Sequence, residues 1–235
     1  MRTSGILMPV FSLPSKYGIG CFSKEAYQFV DFLKESGQKN WQVLPLGQTS
    51  YGDSPYQSFS SFAGNPYFID LEQLVEQQLL TKAECDSFDF GKNPESIDYA
   101  KLYQNRYKIL RMACDRFLKQ PSDDFFAFCQ ENDWWLGNYA LFMVIKNMHK
   151  GASWLQWEEN IKDAILQLWT RYGMGSMMKY SFISFSSICF SVNRKNCMRM
   201  RHRRAFRLSG TFRFMWLWTA QMPGQNHSCF NLMRS

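Results

Sequence analysis

Acidic residues are absent from the last quarter of this 235-residue chain. Positions 174–235 hold ten lysines and arginines and neither aspartate nor glutamate, whereas residues 1–173 carry a net charge of −3. The overall net charge of +7 therefore comes entirely from the C-terminal segment. A basic cluster at positions 199–204 is typical of a nucleic-acid or heparin patch. Because such clusters alone are weak evidence, we expect no nucleic-acid partner.

The seven cysteines lack the spacings of metal or disulfide sites. Their number is odd and no two of them are arranged as Cys-x-x-Cys. This pattern excludes the common zinc signatures and gives no disulfide framework. Free thiols in a reducing cytoplasm are the simplest interpretation.

Long hydrophobic runs are also missing. No stretch of 18 apolar residues occurs, so no membrane span is predicted. The N-terminus has no sustained apolar region because Pro9 and Pro14 interrupt it. We therefore expect no signal peptide, no membrane partner and a cytoplasmic protein.

The first 46 residues instead have the pattern of a strand–helix–strand unit. Apolar residues at 6–11 predict a buried strand, and residues 22–37 predict a helix with Ser23 as its N-cap and Gly37 as its end. A second strand is predicted at 41–46. Such βαβ units pair their strands in parallel and place the following loops at the carboxyl ends of the strands.

A long loop follows the second strand. Turn-forming residues cluster in Gly52-Asp53-Ser54-Pro55-Tyr56-Gln57-Ser58 and again in Gly64-Asn65-Pro66. Loops of about 20 residues are uncommon in compact domains and are often functional. Its tyrosines and hydroxyls suit a sugar, which stacks on rings and bonds to polar groups. On composition alone, a structural loop whose aromatics pack on the domain is the more frequent case.

The pattern becomes helical from about residue 70. Apolar stripes predict helices at 71–80, 98–117, 121–132, 133–149 and 154–172, and Thr81 with Glu84 predicts a capping box. The aromatic residues in these stripes are interpreted as core first and as binding surface second. About 100 residues with a helical pattern are more than one crossover connection between two strands contains. We therefore predict a helical subdomain inserted after the second strand.

Two long segments resemble one known family. The segment Tyr51-Gly52-Asp53-Ser54-Pro55-Tyr56-Gln57-Ser58 with Gly64-Asn65-Pro66-Tyr67, and the opening Ser4-Gly5-Ile6-Leu7-Met8-Pro9, continued to Gly20, closely resemble bacterial 4-alpha-glucanotransferases. These enzymes are also called amylomaltases or disproportionating enzymes. The resemblance covers residues 1–173 and then stops.

The resemblance implies an α/β fold, the N-terminal part of a (β/α)8 TIM-type barrel with an inserted helical subdomain. We expect the first two barrel strands and the substrate loop in residues 1–70, the helical insertion in 71–173, and an irregular or disordered tail in 174–235. The carboxyl ends of barrel strands carry active sites, which agrees with the position of the long loop.

The resemblance also implies a reaction. The family transfers an α-1,4-glucan segment to the 4-hydroxyl of an acceptor glucan or glucose, through a retaining double displacement that uses two carboxyl groups. The family draws these groups from later barrel strands, so we expect this truncated chain to lack catalytic residues and to be inactive. The alternative is a non-catalytic fragment that binds glucans.

The implied ligands are α-1,4-glucans, maltooligosaccharides and glucose, with no metal and no organic cofactor. By resemblance, Ser54 and Tyr56 contact the donor sugar near the cleavage point, and Tyr51 lies at a glucan-contacting surface. Asp53 and Asn65 are interpreted as turn residues whose side chains bond to backbone N–H groups, so neither is assigned a catalytic role.

The tail does not continue the family pattern in the given reading frame. The adjacent frame permits an amphipathic helix over positions 177–191 and, over 209–219, the segment Gly-Asp-Ile-Pro-Ile-Tyr-Val-Ala-Leu-Asp, which resembles the family's third strand. We infer that a shift of the reading frame produced this basic tail, in which no selection has acted to build a core.

Overall fold

The computed structural model describes residues 3–49, 52–91, 93, 95–158, 173–203 and 207–210. Short parallel strands and a larger set of helices make up this part of the chain. The elements in chain order are β1 (Gly5–Leu7), α1 (Lys24–Glu35), β2 (Asn40–Val43), α2 (Leu71–Glu76), α3 (Lys82–Ser87), α4 (Tyr99–Phe117), α5 (Asp123–Glu131), α6 (Asp133–Met148), α7 (Gly173–Arg203) and β3 (Arg207–Gly210). Among the described residues, no helix has both the length and the apolar character that crossing a membrane requires.

The strands form one parallel sheet in the order β1-β2-β3. The predicted parallel pairing of the first two strands is confirmed, with Ile6 opposite Trp41. The burial of the first strand was predicted wrongly, because Ile6 is 38% and Leu7 55% exposed. In the sheet as described, β1 is an edge strand. Within the predicted strand segment, the buried apolar residue is Val10, which lies in the 3-10 turn that follows β1.

Helix α1 is amphipathic, as its sequence predicts. Its apolar face buries Ala26, Val30 and Leu33, and the chain leaves the helix at Gly37, whose φ of 72° is the left-handed conformation that glycine adopts readily. Ser23 is the N-cap, but its hydroxyl bonds to the Glu25 carboxylate and makes no side-chain cap bond to the backbone.

Helices α2 to α6 lie in the region whose apolar stripes predicted helices, and their assignment to an inserted subdomain stays a prediction. The capping box is present, with the Glu84 N–H donating to the Thr81 hydroxyl and the Thr81 N–H donating to the Glu84 carboxylate. Asp98 caps α4 through the Lys101 N–H. Of the last predicted helix, the structure describes a 3-10 turn at Trp154–Gln156, and positions 159–172 lie outside the described residues.

The prediction of an irregular tail at 174–235 is wrong for residues 174–203, which belong to helix α7. This helix packs against α1, α4, α5 and α6. Residues 182–187 are all buried, so no single face of this helix is the apolar one. Its buried apolar side chains are Phe182, Ile183, Phe185, Phe190 and Cys197. Two of its buried hydroxyls are satisfied within the helix, because those of Ser186 and Ser187 both donate to the Ile183 carbonyl. Burial of the aromatic residues thus compensates for a weakly patterned sequence.

The expectation of only two strands is also wrong, because β3 adds a third. It pairs in parallel with β2, from Asn40 opposite Arg207 to Val43 opposite Gly210. Helix α7 covers positions 177–191, where the adjacent reading frame permits a helix, and β3 overlaps the strand segment of that frame (209–219) at residues 209 and 210. The reading-frame hypothesis stays a prediction, and positions 211–235 of the tail lie outside the described residues.

Candidate functional site

The long loop after β2 is closed at its base by backbone contacts. The Asn65 N–H donates to the Leu46 carbonyl (2.8 Å), and Thr49 forms an antiparallel bridge with Ser58. The Asn65 side chain accepts from the Tyr67 N–H (3.0 Å), which confirms its predicted turn role. These contacts leave the described residues 52–57 as the tip of a loop with a fixed base.

The tip contains a tight turn built on Ser54. The Ser54 hydroxyl accepts from the Tyr56 N–H (3.4 Å), and the Ser54 carbonyl accepts from the Gln57 N–H (3.1 Å). Among the described residues, the hydroxyl that caps this turn thus belongs to Ser54, where the sequence predicted the Asp53 carboxylate. Gly52 and Asp53 precede it in left-handed conformations, with φ values of 92° and 54°.

The structure brings two of the three predicted glucan-contacting residues together. Ser54 and Tyr56 share the turn, and Tyr56 is 44% exposed. Tyr51 lies outside the described residues. The assignment of these side chains to sugar contacts stays a prediction.

Asp53 is the only acidic residue between positions 46 and 66. Partial burial raises the pKa of its carboxyl group. Burial raises the pKa values of Tyr67, Tyr99 and Tyr107, and the negative charge of Asp53 raises them further. These phenols therefore stay protonated at neutral pH and can donate hydrogen bonds beside the loop.

Gln48 joins the base of the loop to two helices of the insertion. Its amide nitrogen donates to the Tyr107 hydroxyl of α4 (2.9 Å), and its amide oxygen accepts from the Tyr139 hydroxyl of α6 (2.9 Å). Burial raises the pKa of Tyr139 as well, so both phenols stay neutral. The two rigid helices thereby set the position at which the loop leaves the sheet.

Helix α6 also supports the returning half of the loop. The Phe59 ring lies 6.3 Å from the Phe142 ring, with the Lys146 ammonium 4.8 Å above it. Further along, Phe62 contacts Trp134 edge to face, with ring centroids 4.6 Å apart. Each contact is a favourable aromatic or cation–π geometry. The loop is therefore seated on the insertion along its length.

Arg106 fastens the segment after the loop to α4. Its guanidinium is 1% exposed and donates to the carbonyls of Tyr67 and Ile69. Burial lowers the pKa of this arginine, while the nearby carboxylate of Asp70 acts to raise it. A charge buried this deeply needs such partners, so Arg106 holds both carbonyls close to α4.

A cavity of about 330 Å³ lies behind the loop, between it and helices α4, α6 and α7. Polar and aromatic side chains line it together. The lining consists of Gln48, Gly64, Pro66, Tyr103, Tyr107, Arg111, Tyr139, Met143, Asn147, Phe182, Ile183, Ser186 and Ser187. None of these residues is acidic and Arg111 is basic, so the cavity provides no carboxylate pair.

The sequence did not single out Gln48, Tyr107 or Tyr139 as site residues. The two tyrosines belong to aromatic stripes that were interpreted as core first, and that stripe was the one available signal. Both hydroxyls bond to the side-chain amide of Gln48, which lies 59 residues from Tyr107 and 91 residues from Tyr139 along the chain. Local periodicity carries no information at that separation. Within the described part of the chain, no group of three or more His, Cys, Asp or Glu could hold a metal ion.

One protein family matches most of this chain. The family model described as 4-alpha-glucanotransferase matches residues 8–210. The chain belongs to the 4-alpha-glucanotransferase family. This confirms the resemblance noted in the sequence, but the prediction that it stops at residue 173 is wrong, because the match continues through α7 to the end of β3.

Individual relatives agree with the family match. A 4-alpha-glucanotransferase of Clostridium butyricum is 50% identical over 155 residues, which cover 66% of this chain and 32% of the relative. One from Thermus thermophilus is 46% identical over 160 residues, which cover 66% of this chain and 31% of the relative. The chain thus spans about a third of the length of these curated 4-alpha-glucanotransferases.

A solved structure is similar across most of the chain. The amylomaltase of Streptococcus agalactiae in complex with acarbose superimposes with a TM-score of 0.85 at 35% sequence identity. The match covers 89% of this chain and 43% of the amylomaltase. The described α/β arrangement is therefore that of one part of an amylomaltase.

Proposed function

We propose that this chain forms the glucan-binding wall of a 4-alpha-glucanotransferase, with the loop at residues 47–64 as its contact surface. The observation that carries the proposal is the turn in which Ser54 and Tyr56 lie together, held by a base bonded to α4 and α6. A preorganised loop with an exposed tyrosine and a hydroxyl matches the stacking and hydrogen-bonding needs of a sugar. The ligands are α-1,4-glucans, maltooligosaccharides and glucose.

The family reaction transfers an α-1,4-glucan segment to the 4-hydroxyl of an acceptor by a retaining double displacement. One carboxylate attacks the anomeric carbon while a second carboxylic acid protonates the leaving oxygen, and the two groups lie about 5–5.5 Å apart in retaining enzymes. The loop has Asp53 alone, and the cavity lining has no acid. We therefore propose that this chain binds glucans and does not transfer them.

In the same proposal the sheet β1-β2-β3 is the start of a (β/α)8 barrel, and the loop lies at the carboxyl end of β2. Residues 1–70 contribute the first strands and the loop, and residues 71–173 contribute the insertion that supports the loop. A reducing cytoplasm fits the cysteines, which are free throughout the described part of the chain.

The test is a titration of the purified 235-residue chain with maltotriose and maltoheptaose by isothermal calorimetry, with cellotriose as the β-linked control. Product analysis of the same mixtures records whether glucose or longer glucans appear. We expect saturable binding of the α-linked sugars and no transfer products. Absence of binding would contradict the proposed contact surface, and transfer products would contradict the lack of catalytic carboxylates.

Two variants locate the binding. Tyr56→Ala removes the exposed ring and is expected to lower affinity by about tenfold, whereas Tyr56→Phe keeps the ring and loses only the hydroxyl. Phe126→Ala is the matched control, since Phe126 is 57% exposed on α5, where its ring contacts that of Phe125. Equal affinity in all of these proteins would place the sugar elsewhere.

A further inference from the structure

Two exposed aromatic side chains meet beside the glucan loop. Phe62 is 52% and Trp134 54% exposed, although their ring centroids are only 4.6 Å apart at an interplanar angle of 74°. Single exposed apolar residues are ordinary on protein surfaces, but contiguous exposed aromatic area marks binding sites. The proposed glucan contacts at Ser54 and Tyr56 do not use this pair.

Phe62 is held in place from two sides. On the loop, the Ser60 hydroxyl accepts from the N–H groups of Phe62 and Ala63, both at 3.1 Å, so the backbone that carries the Phe62 ring is fixed. On α6, the Trp135 indole N–H donates to the Asn132 side chain (2.9 Å), and the Trp135 ring lies 6.1 Å from Phe62. A surface that is already ordered loses little entropy on binding a ligand.

The pair is also connected to the base of the loop. The ring of Trp135 lies 6.1 Å from that of Tyr139, whose hydroxyl donates to Gln48. Phe62 follows Tyr56 by six residues, so extended chain between them spans at most roughly 20 Å. An oligosaccharide of several glucose units covers that distance. The loop therefore presents two aromatic surfaces that one glucan chain can reach.

We propose that Phe62 and Trp134 form an accessory subsite that binds a more distant glucose unit of the same α-1,4-glucan. The apolar C–H face of a pyranose stacks on an aromatic ring, and Trp134 provides the largest exposed ring of the pair. This inference rests on the proposed function and adds to it a dependence on glucan length. Short sugars occupy the Ser54–Tyr56 turn alone, whereas long sugars also cover the aromatic pair.

The test compares Trp134→Ala, Trp134→Phe and Phe62→Ala with the unaltered chain in calorimetric titrations of maltotriose and maltoheptaose. Trp134→Ala is expected to weaken maltoheptaose binding by about tenfold and to leave maltotriose binding within about twofold. Trp134→Phe keeps an aromatic ring and is expected to retain most of the affinity. Leu155→Ala is the control, because Leu155 is 63% exposed outside the loop.

The outcomes separate this inference from the proposed function. If the unaltered chain binds neither sugar, the proposed function fails and the subsite with it. If it binds both sugars and Trp134→Ala binds maltoheptaose equally well, only the subsite is refuted. Sedimentation velocity gives the other contrary result, in which the unaltered chain dimerises and Trp134→Ala does not, so that the aromatic pair is an interface between copies.

Discussion

The Tyr139 hydroxyl donates a hydrogen bond to the Gln48 amide oxygen across 2.9 Å, although the two residues lie 91 positions apart in the chain. Tyr139 is 9% exposed and belongs to the middle of α6, whereas Gln48 begins the long loop. The contact fixes the base of a surface loop to a buried helix. Rigid support of this kind lets a loop carry binding residues in a defined position.

Removing the Tyr139 hydroxyl tests this support. Tyr139→Phe leaves the Gln48 oxygen without its donor in a partly buried position, so we expect a loss of about 1–2 kcal/mol in the free energy of unfolding. Urea unfolding followed by circular dichroism measures it. Tyr103→Phe is the matched control, because Tyr103 is 72% exposed on α4 and its change should stay within about 0.5 kcal/mol. Equal stability of both variants would contradict a supporting role for the Tyr139 bond.

The turn at the loop tip depends on one glycine. Gly52 has a φ of 92°, which strains any residue with a Cβ even though nothing lies within 4 Å of that position. We expect Gly52→Ala to destabilise the chain by about 1–2 kcal/mol, or to shift the turn and weaken maltotriose binding. Both are measured on one preparation, by urea unfolding and calorimetry.

Gly137 provides the opposite case for the same substitution. It lies within α6, and an added Cβ would meet its nearest neighbours, the Asp133 carboxylate and the Tyr180 hydroxyl, at ordinary contact distances of 3.7 and 3.8 Å. Gly137→Ala should therefore stabilise the chain by about 0.5–1 kcal/mol. If Gly52→Ala and Gly137→Ala changed the free energy of unfolding in the same direction, the conformational argument at Gly52 would be refuted.

Asp70 gives a pH dependence with a definite sign. Burial raises the pKa of its carboxyl group from the ordinary 3.8 to about 6, although its bond from the Glu72 N–H acts in the opposite direction. Between these two values the folded chain binds more protons than the unfolded chain. This contribution to stability is therefore present below about pH 4 and is lost as the pH rises through about 6.

The variant Asp70→Asn removes this titration and keeps a side chain that can cap α2. Its stability relative to the unaltered chain is expected to increase from pH 4 to pH 6, as measured by urea unfolding at intervals of pH. Because the comparison is between two proteins at each pH, the other titrating groups cancel. A constant difference across this interval would mean that Asp70 does not hold its proton in the folded state.

The reading-frame hypothesis is tested at the gene. Sequencing the DNA across codons 165–180 is expected to show one nucleotide missing or extra relative to the frame that encodes this tail. Mass spectrometry of the protein made in cells is the complementary measurement. An uninterrupted frame in several independent isolates, together with a product of 27.7 kDa, would contradict the hypothesis.

Local patterns in the sequence were sufficient for much of this fold. The parallel βαβ unit, the apolar face of α1, the end at Gly37 and the capping box of Thr81 and Glu84 were all predicted, because each depends on residues within a few positions of one another. The family was also evident from the two segments around positions 4–20 and 51–67.

The predictions failed where distant contacts decide the structure. Helix α7 has no strong one-sided pattern, and its formation depends on burying Phe182, Phe185 and Phe190 against helices that come earlier in the chain. Strand β3 depends on the free edge of β2, which a local pattern does not report. The exposure of Ile6 and Leu7 likewise reflects the edge position of β1 and not their hydrophobicity.

The sequence by itself determined the family, the strand–helix–strand start and the turn chemistry that places Ser54 two residues before Tyr56. Only the tertiary structure decided how the loop is supported, because the Gln48 bonds to Tyr107 and Tyr139 and the contact of Phe62 with Trp134 join residues far apart in the chain. Hydrogen bonds and ring contacts act over a few ångströms in space, so their partners become identifiable only after the helices have packed.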